Sequence, residues 1–181
     1  MEVGSLIKVT LDALKKRLDD NDTLTIQGTD GYLSNVKCTF KKGLEQEVIS
    51  EFEKTNDLEL PSDLKQFYLL SNGMHLFEEE YAGGIRIYPL QKLKKFPPEI
   101  FDDLNYLPIG DIDNVGYVLI HKGLAKQPFS NYLYFLDAAL LDPPEKLNLN
   151  FELWLELIIL AQGNIFWDWK YYTAENSYRL R

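Results

Sequence analysis

Residues 151–163, FELWLELIILAQG, constrain this chain more than any other stretch. Only Glu152 and Glu156 interrupt the first ten positions, and at i, i+4 spacing they form one narrow polar stripe. A helix this apolar needs cover on most of its circumference, from a sheet on one side and from a helix or partner on the other. Gly163 fits the left-handed position that closes a helix. The aromatic run behind it, NIFWDWKYY, is expected to lid the same core.

The remaining chain can supply that cover. Residues 4–19 space Ile7, Leu11, Leu14 and Leu18 along one helical face, and DDND ends the helix. LTIQ, GTDG and YLSNVKCTF then read as a β-hairpin whose second arm sets Tyr32, Val36, Cys38 and Phe40 on one face. Cys38 thereby reads as a small buried hydrophobe rather than a nucleophile. A second helix, over 44–56, is expected to bury Leu44, Val48, Ile49 and Phe52.

LPSDLKQFYLLSNG, residues 60–73, makes a third helix. Pro61 suits the first turn, where a missing N–H costs nothing, and Asp63 suits the helix dipole. Leu60, Leu64, Phe67 and Tyr68 face one way, and Gly73 fits a left-handed closing turn. Short strands follow within 83–90, 105–112, 116–122 and 131–138, separated by glycine, proline and acidic turns. With no repeat or linker in view, one domain over 1–181 is expected.

Composition narrows the function. A chain of 181 residues, 45% hydrophobic, can bury roughly 70% of its unfolded surface without staples. The single cysteine forbids an internal disulfide and suits a reducing compartment. The first residues lack the apolar block of a secretory signal, and LIILA falls far short of the roughly 18 residues that span a bilayer. A soluble cytoplasmic protein without membrane contact is the expectation. The net charge of −9 argues against direct nucleic-acid binding and suits a basic partner.

Motifs for chemistry are missing. There are two histidines, His75 and His121, but no GxSxG elbow, HExxH, CxxC, GxGxxG or Walker A pattern. DIDNVG at 111–116 imitates a calcium loop, yet Val115 cannot ligate and Lys122 stands where a bidentate glutamate is needed. No catalytic residue, cofactor or metal is expected, and the chain is not expected to be an enzyme.

The 60–73 segment also carries a resemblance. With the preceding CTFKKGLEQEVISEFEKTNDLE it resembles the SUKH superfamily, named partly for a yeast cell-wall-assembly regulator. The hallmark there is a helix, an acidic residue, "LP", spaced apolar positions and "NG". Here Glu53 or Glu59, Leu60, Pro61, Leu64, Phe67, Asn72 and Gly73 hold those places, and GGIRIYPL, YLPIGDI, GYVLI and the last helix follow in order. The likeness is strongest over 38–167, with 1–37 an added helix and hairpin. The chain departs from the pattern at Lys42-Gly43-Leu44, where members often carry proline and small residues, and at Met74, often a further glycine.

The resemblance implies a single α+β domain, a central curved, mostly antiparallel sheet with helices packed against it. It also implies a non-catalytic protein-binding role. The leading expectation is an immunity protein that neutralises a cognate bacterial polymorphic toxin, such as a basic nuclease. The alternative is a regulatory or scaffolding adaptor with a non-toxin partner. Candidate contacts are Glu78, Glu79, Glu80 and Tyr81 in a loop after the Asn-Gly turn, with Asp102, Asp103, Asp111 and Asp113 at turns between elements. A monomer or weak homodimer is expected.

Overall fold

The computed structural model describes residues 3–28, 31–80, 83–93, 105–127, 130–139 and 142–179. Its helices are α1 (Ser5–Lys15), α2 (Gln46–Asn56), α3 (Ser62–Leu70), α4 (Lys122–Ala125), α5 (Phe151–Leu160) and α6 (Ala174–Arg179). The strands are β1 (Thr23–Gln27), β2 (Leu33–Phe40), β3 (Met74–Glu78), β4 (Ile85–Ile87), β5 (Tyr106–Ile112), β6 (Gly116–His121), β7 (Leu133–Asp137) and β8 (Glu145–Lys146). Short 3-10 helices cover Leu90–Lys92 and Phe166–Tyr171.

The strands form one open antiparallel sheet in chain order, a meander from β1 to β8. Period-two side-chain alternation builds its core face. Apolar residues meet across the ladder as Leu24↔Val36, Phe40↔Met74, Leu76↔Ile85, Ile85↔Ile112, Val118↔Phe135 and Ile120↔Leu133. The alternate positions put Thr39, His75, Arg86, Asp111 and Tyr117 in cross-strand register on the other face. The fold class is α+β, as the resemblance implied.

α5 is covered as its sequence demands. α1 and α3 pack against it, and Phe151, Trp154, Leu155 and Ile158 are fully buried. Each such side chain contributes roughly 1.5–3 kcal/mol of transfer free energy. Ile165, Phe166 and Trp167 close on the core, whereas Trp169, Tyr171 and Tyr172 are exposed, so only the first half of the aromatic run is a lid.

The polar stripe of α5 is not a solvated one. Glu152 is buried, and its carboxylate accepts the Gly4 N–H at 2.9 Å and the Leu6 N–H at 2.7 Å, so α5 caps α1. Asp63 in turn caps α5. One of its oxygens accepts the Glu152 N–H at 3.1 Å, and the other accepts the Tyr132 hydroxyl at 2.5 Å and its neighbour Leu64 N–H at 3.0 Å. The Tyr132 oxygen accepts the Phe151 N–H and the Asn150 side chain the Leu153 N–H, so each of the first three N–H groups of α5 has an acceptor. Three helix N-termini thus converge on two buried carboxylates.

The "LP…NG" motif is likewise structural. Glu53, not Glu59, is its acidic member: it accepts the Leu60 N–H at 2.7 Å and pairs with Lys65 at 2.9 Å. Asn72 accepts the Leu90 N–H at 2.9 Å. Gly73, at φ +93°, lies so close to β4 that a Cβ would meet the Ile87 carbonyl at 2.8 Å.

Several expectations are corrected. α1 ends at Lys15, before Leu18. Tyr32 is 68% exposed and Val48 39% exposed, so neither joins the core face proposed for it. β3 was not foreseen because a bulge breaks its period. The register against β2 gains one residue between Lys37 and Thr39, and Phe77 adopts φ +56°, so Leu76 and Phe77 are both buried. β8 was also unforeseen. Cys38 is fully buried as expected, and burial pushes its thiol pKa up.

Candidate partner-binding surface

In a meander every second turn falls at the same end of the sheet. Here the β1–β2, β3–β4, β5–β6 and β7–β8 turns share one end, because Ile85 faces Ile112 and Gly116 faces Asp137 in the ladder. The sequence places acids in these turns. Glu79, Glu80, Asp137 and Asp142 are exposed, and Glu78 and Asp113 are half-buried. At the other end the connections carry exposed Lys41, Lys42, Lys92 and Lys126, together with the acids of Asp19–Asp22 before β1 and Glu45, Glu47, Glu51, Asp57 and Glu59 between β2 and β3.

Two acidic turns are tied to each other. The Gly83 N–H donates to Asp113 at 3.2 Å, and the Asp113 N–H donates to the Gly84 carbonyl at 3.0 Å. The positive φ of Gly83 and Gly84 permits this close path, and a Cβ on Gly84 would meet the His75 ring. Glu79 and Glu80 have no ion-pair partner among the described residues, so their charge is open to solvent or a partner.

The predicted contacts fall into three groups. Glu78, Glu79, Glu80 and Asp113 come together at this end, Glu78 lying 3.2 Å from His75 Nδ1 at the end of β3 rather than in a loop. Asp111 is not at a turn. It is a buried residue of β5 that accepts from Arg86 Nε at 2.7 Å. Tyr81, Asp102 and Asp103 lie outside the described residues. Asp137 and Asp142 were missed, although DAALLDPPE is as acidic a turn as the others.

The histidines serve local structure. His121 Nδ1 accepts the Leu124 N–H at 3.3 Å, capping α4, and its ring packs on Tyr106 and Tyr134. Among the described residues no group of three or more His, Cys, Asp or Glu could hold a metal ion. Among them also, no helix is long and apolar enough to cross a membrane.

A profile of the SMI1 / KNR4 family (SUKH-1) matches residues 43–157, from ahead of α2 into α5. The chain belongs to this family. The match contains the "LP…NG" segment and both ends of the Asp63–Glu152 contact. Among its relatives, the SUKH-1 chain is 35% identical to the protein YobM of Bacillus subtilis (strain 168), over 98% of this chain and 99% of YobM. It is 26% identical to YnaB of the same organism, over 71% of this chain and 85% of YnaB. It is also 32% identical to the immunity protein RhsIB of Dickeya dadantii (strain 3937), over 42% of this chain and 49% of RhsIB.

Proposed function

We propose that this SUKH-1 chain is a non-catalytic immunity protein that binds a cognate toxin domain and blocks it. The clustering of acidic turns at one end of the meander carries this reading, supported by the partial likeness to an immunity protein. A basic nuclease fits such a surface, since carboxylates can stand where substrate phosphates would bind. Glu78, Glu79, Glu80 and Asp113 are the proposed contacts at this end, with Tyr81 from the same β3–β4 connection as a further candidate. Asp102 and Asp103, which belong to the β4–β5 connection, are candidates apart from this end. Asp111 acts through Arg86 and holds the surface in place.

The test is capture of partners from the native host by the tagged chain, washed at low and then high salt. A stoichiometric basic toxin domain, released at high salt, is the expected result. Joint reversal of Glu78, Glu79 and Glu80 to lysine should weaken capture by at least about tenfold, or 1.4 kcal/mol. Stoichiometric recovery of a non-toxin partner alone would overturn the immunity reading, and unchanged capture by the triple variant would remove the acidic turn from it.

A further inference from the structure

The sheet face opposite the core holds an open cavity of about 410 Å³ between β4, β5 and β6, bordering the acidic end at Asp113. Four charged residues line it, Arg86, Lys92, Asp111 and Asp113, together with Tyr88 and Tyr117. Formal charge cancels, so the unused hydrogen-bonding capacity decides what the cavity can hold.

Three of the four carboxylate oxygens are engaged. Asp111 takes Arg86 Nε at 2.7 Å on one oxygen, with the Tyr88 side chain beside it. Asp113 takes a terminal nitrogen of Arg86 at 3.3 Å on one oxygen. Its other oxygen takes the Gly83 N–H at 3.2 Å and the Asn114 side chain at 3.3 Å. The donors are not engaged to the same degree. Among the described residues the second terminal nitrogen of Arg86 has no acceptor, and Lys92 meets no carboxylate. Lys92 Nζ instead lies 4.1 Å from the centre of the Tyr88 ring, a contact that holds the ammonium without using its protons.

We infer that this cavity receives a carboxylate from a protein partner, an aspartate or glutamate side chain, on the free donors of Arg86 and Lys92. Two donor groups match the two oxygens of one carboxylate. The apolar surfaces of Leu93, Pro108 and Ala138 in the same lining suit the methylene stem that carries it. A phosphate dianion matches less well, because Asp111 and Asp113 already offset both cations. The inference rests on the protein-binding reading above in taking the carboxylate from a protein. It adds a positive contact beside the acidic turns, so a partner would be held by charges of both signs and in one register.

The experiment uses the full chain, with acetate as the probe and acetamide as its neutral counterpart, followed by NMR at Arg86 Nε–H and the Asn114 and Gly116 amides. Acetate should shift these signals saturably, in the millimolar range expected of so small a ligand. Acetamide should not. Lys92→Ala, an exposed position, should fold normally and weaken acetate at least about threefold. Arg86 is left intact in these variants because its loss would strand Asp111 as a buried, unpaired charge. No saturable shift, an equal response to acetamide, tighter binding of inorganic phosphate, or an unchanged Lys92→Ala titration would each overturn the assignment. The Glu78, Glu79, Glu80 reversal should keep the acetate response, so this inference and the acidic-turn reading can fail separately.

Discussion

Asp63 accepts three hydrogen bonds, from the Tyr132 hydroxyl, the Glu152 N–H and the Leu64 N–H, while almost wholly buried. Asparagine in its place turns one oxygen into a donor that must face a donor. Asp63→Asn is therefore expected to cost about 2 kcal/mol of stability despite deleting a buried charge. Burial raises the Asp63 pKa, outweighing the opposing hydrogen bonds from Tyr132, Glu152 and Leu64. The folded chain then keeps this proton to higher pH than the unfolded chain does. Its contribution to stability is present in full at low pH and declines as pH rises through the ordinary carboxylate range to the raised value. The gap between wild type and Asp63→Asn should narrow over that window in urea titrations run at successive pH values. A widening gap would mean that the three donors win over burial.

At the scale of elements, α1 offers a sharper test, since no side chain of its own caps it. Gly4 and Leu6 are held by Glu152, 148 and 146 residues away. Glu152→Ala should destabilise the chain by about 1–2 kcal/mol. It should speed amide exchange in residues 5–15 more than in β5 or β6, because α1 is the element released; uniform acceleration would speak against a local cap. The same contact shows what was legible beforehand. α3 and its ends could be read because their signals are local: proline and aspartate at the start, Asn-Gly at the finish. Glu152 was read only as half of a narrow polar stripe because its partners are distant in sequence, and no helical periodicity encodes them. β3 escaped for a different reason, since a bulge at Phe77 makes neighbouring residues face the same way. Cys38 was readable because plain alternation along β2 decides it.

Charge asymmetry belongs to the whole molecule. GTDG, FEEEYAGG, DIDNVG and DAALLDPPE are separated along the chain, and only the meander order gathers their turns at one end. That is why Glu78, Glu79 and Glu80 could be named in advance while Asp137 and Asp142 were passed over. An end-loaded charge should orient an incoming basic partner as well as attract it, whereas a spread charge of −9 would only attract. The two cases separate kinetically. With the toxin in hand, association should approach roughly 10⁸–10⁹ M⁻¹s⁻¹ at low salt and fall steeply as salt is added. Reversing Glu78, Glu79 and Glu80 to lysine should slow association and flatten its salt dependence. Reversing Asp20, Glu47 and Glu51, exposed residues before β1 and on α2, makes the same change in net charge and should do much less. Equal losses in stopped-flow measurements on the two triple variants would show that net charge alone steers the encounter, and that the acidic end has no privileged part in it.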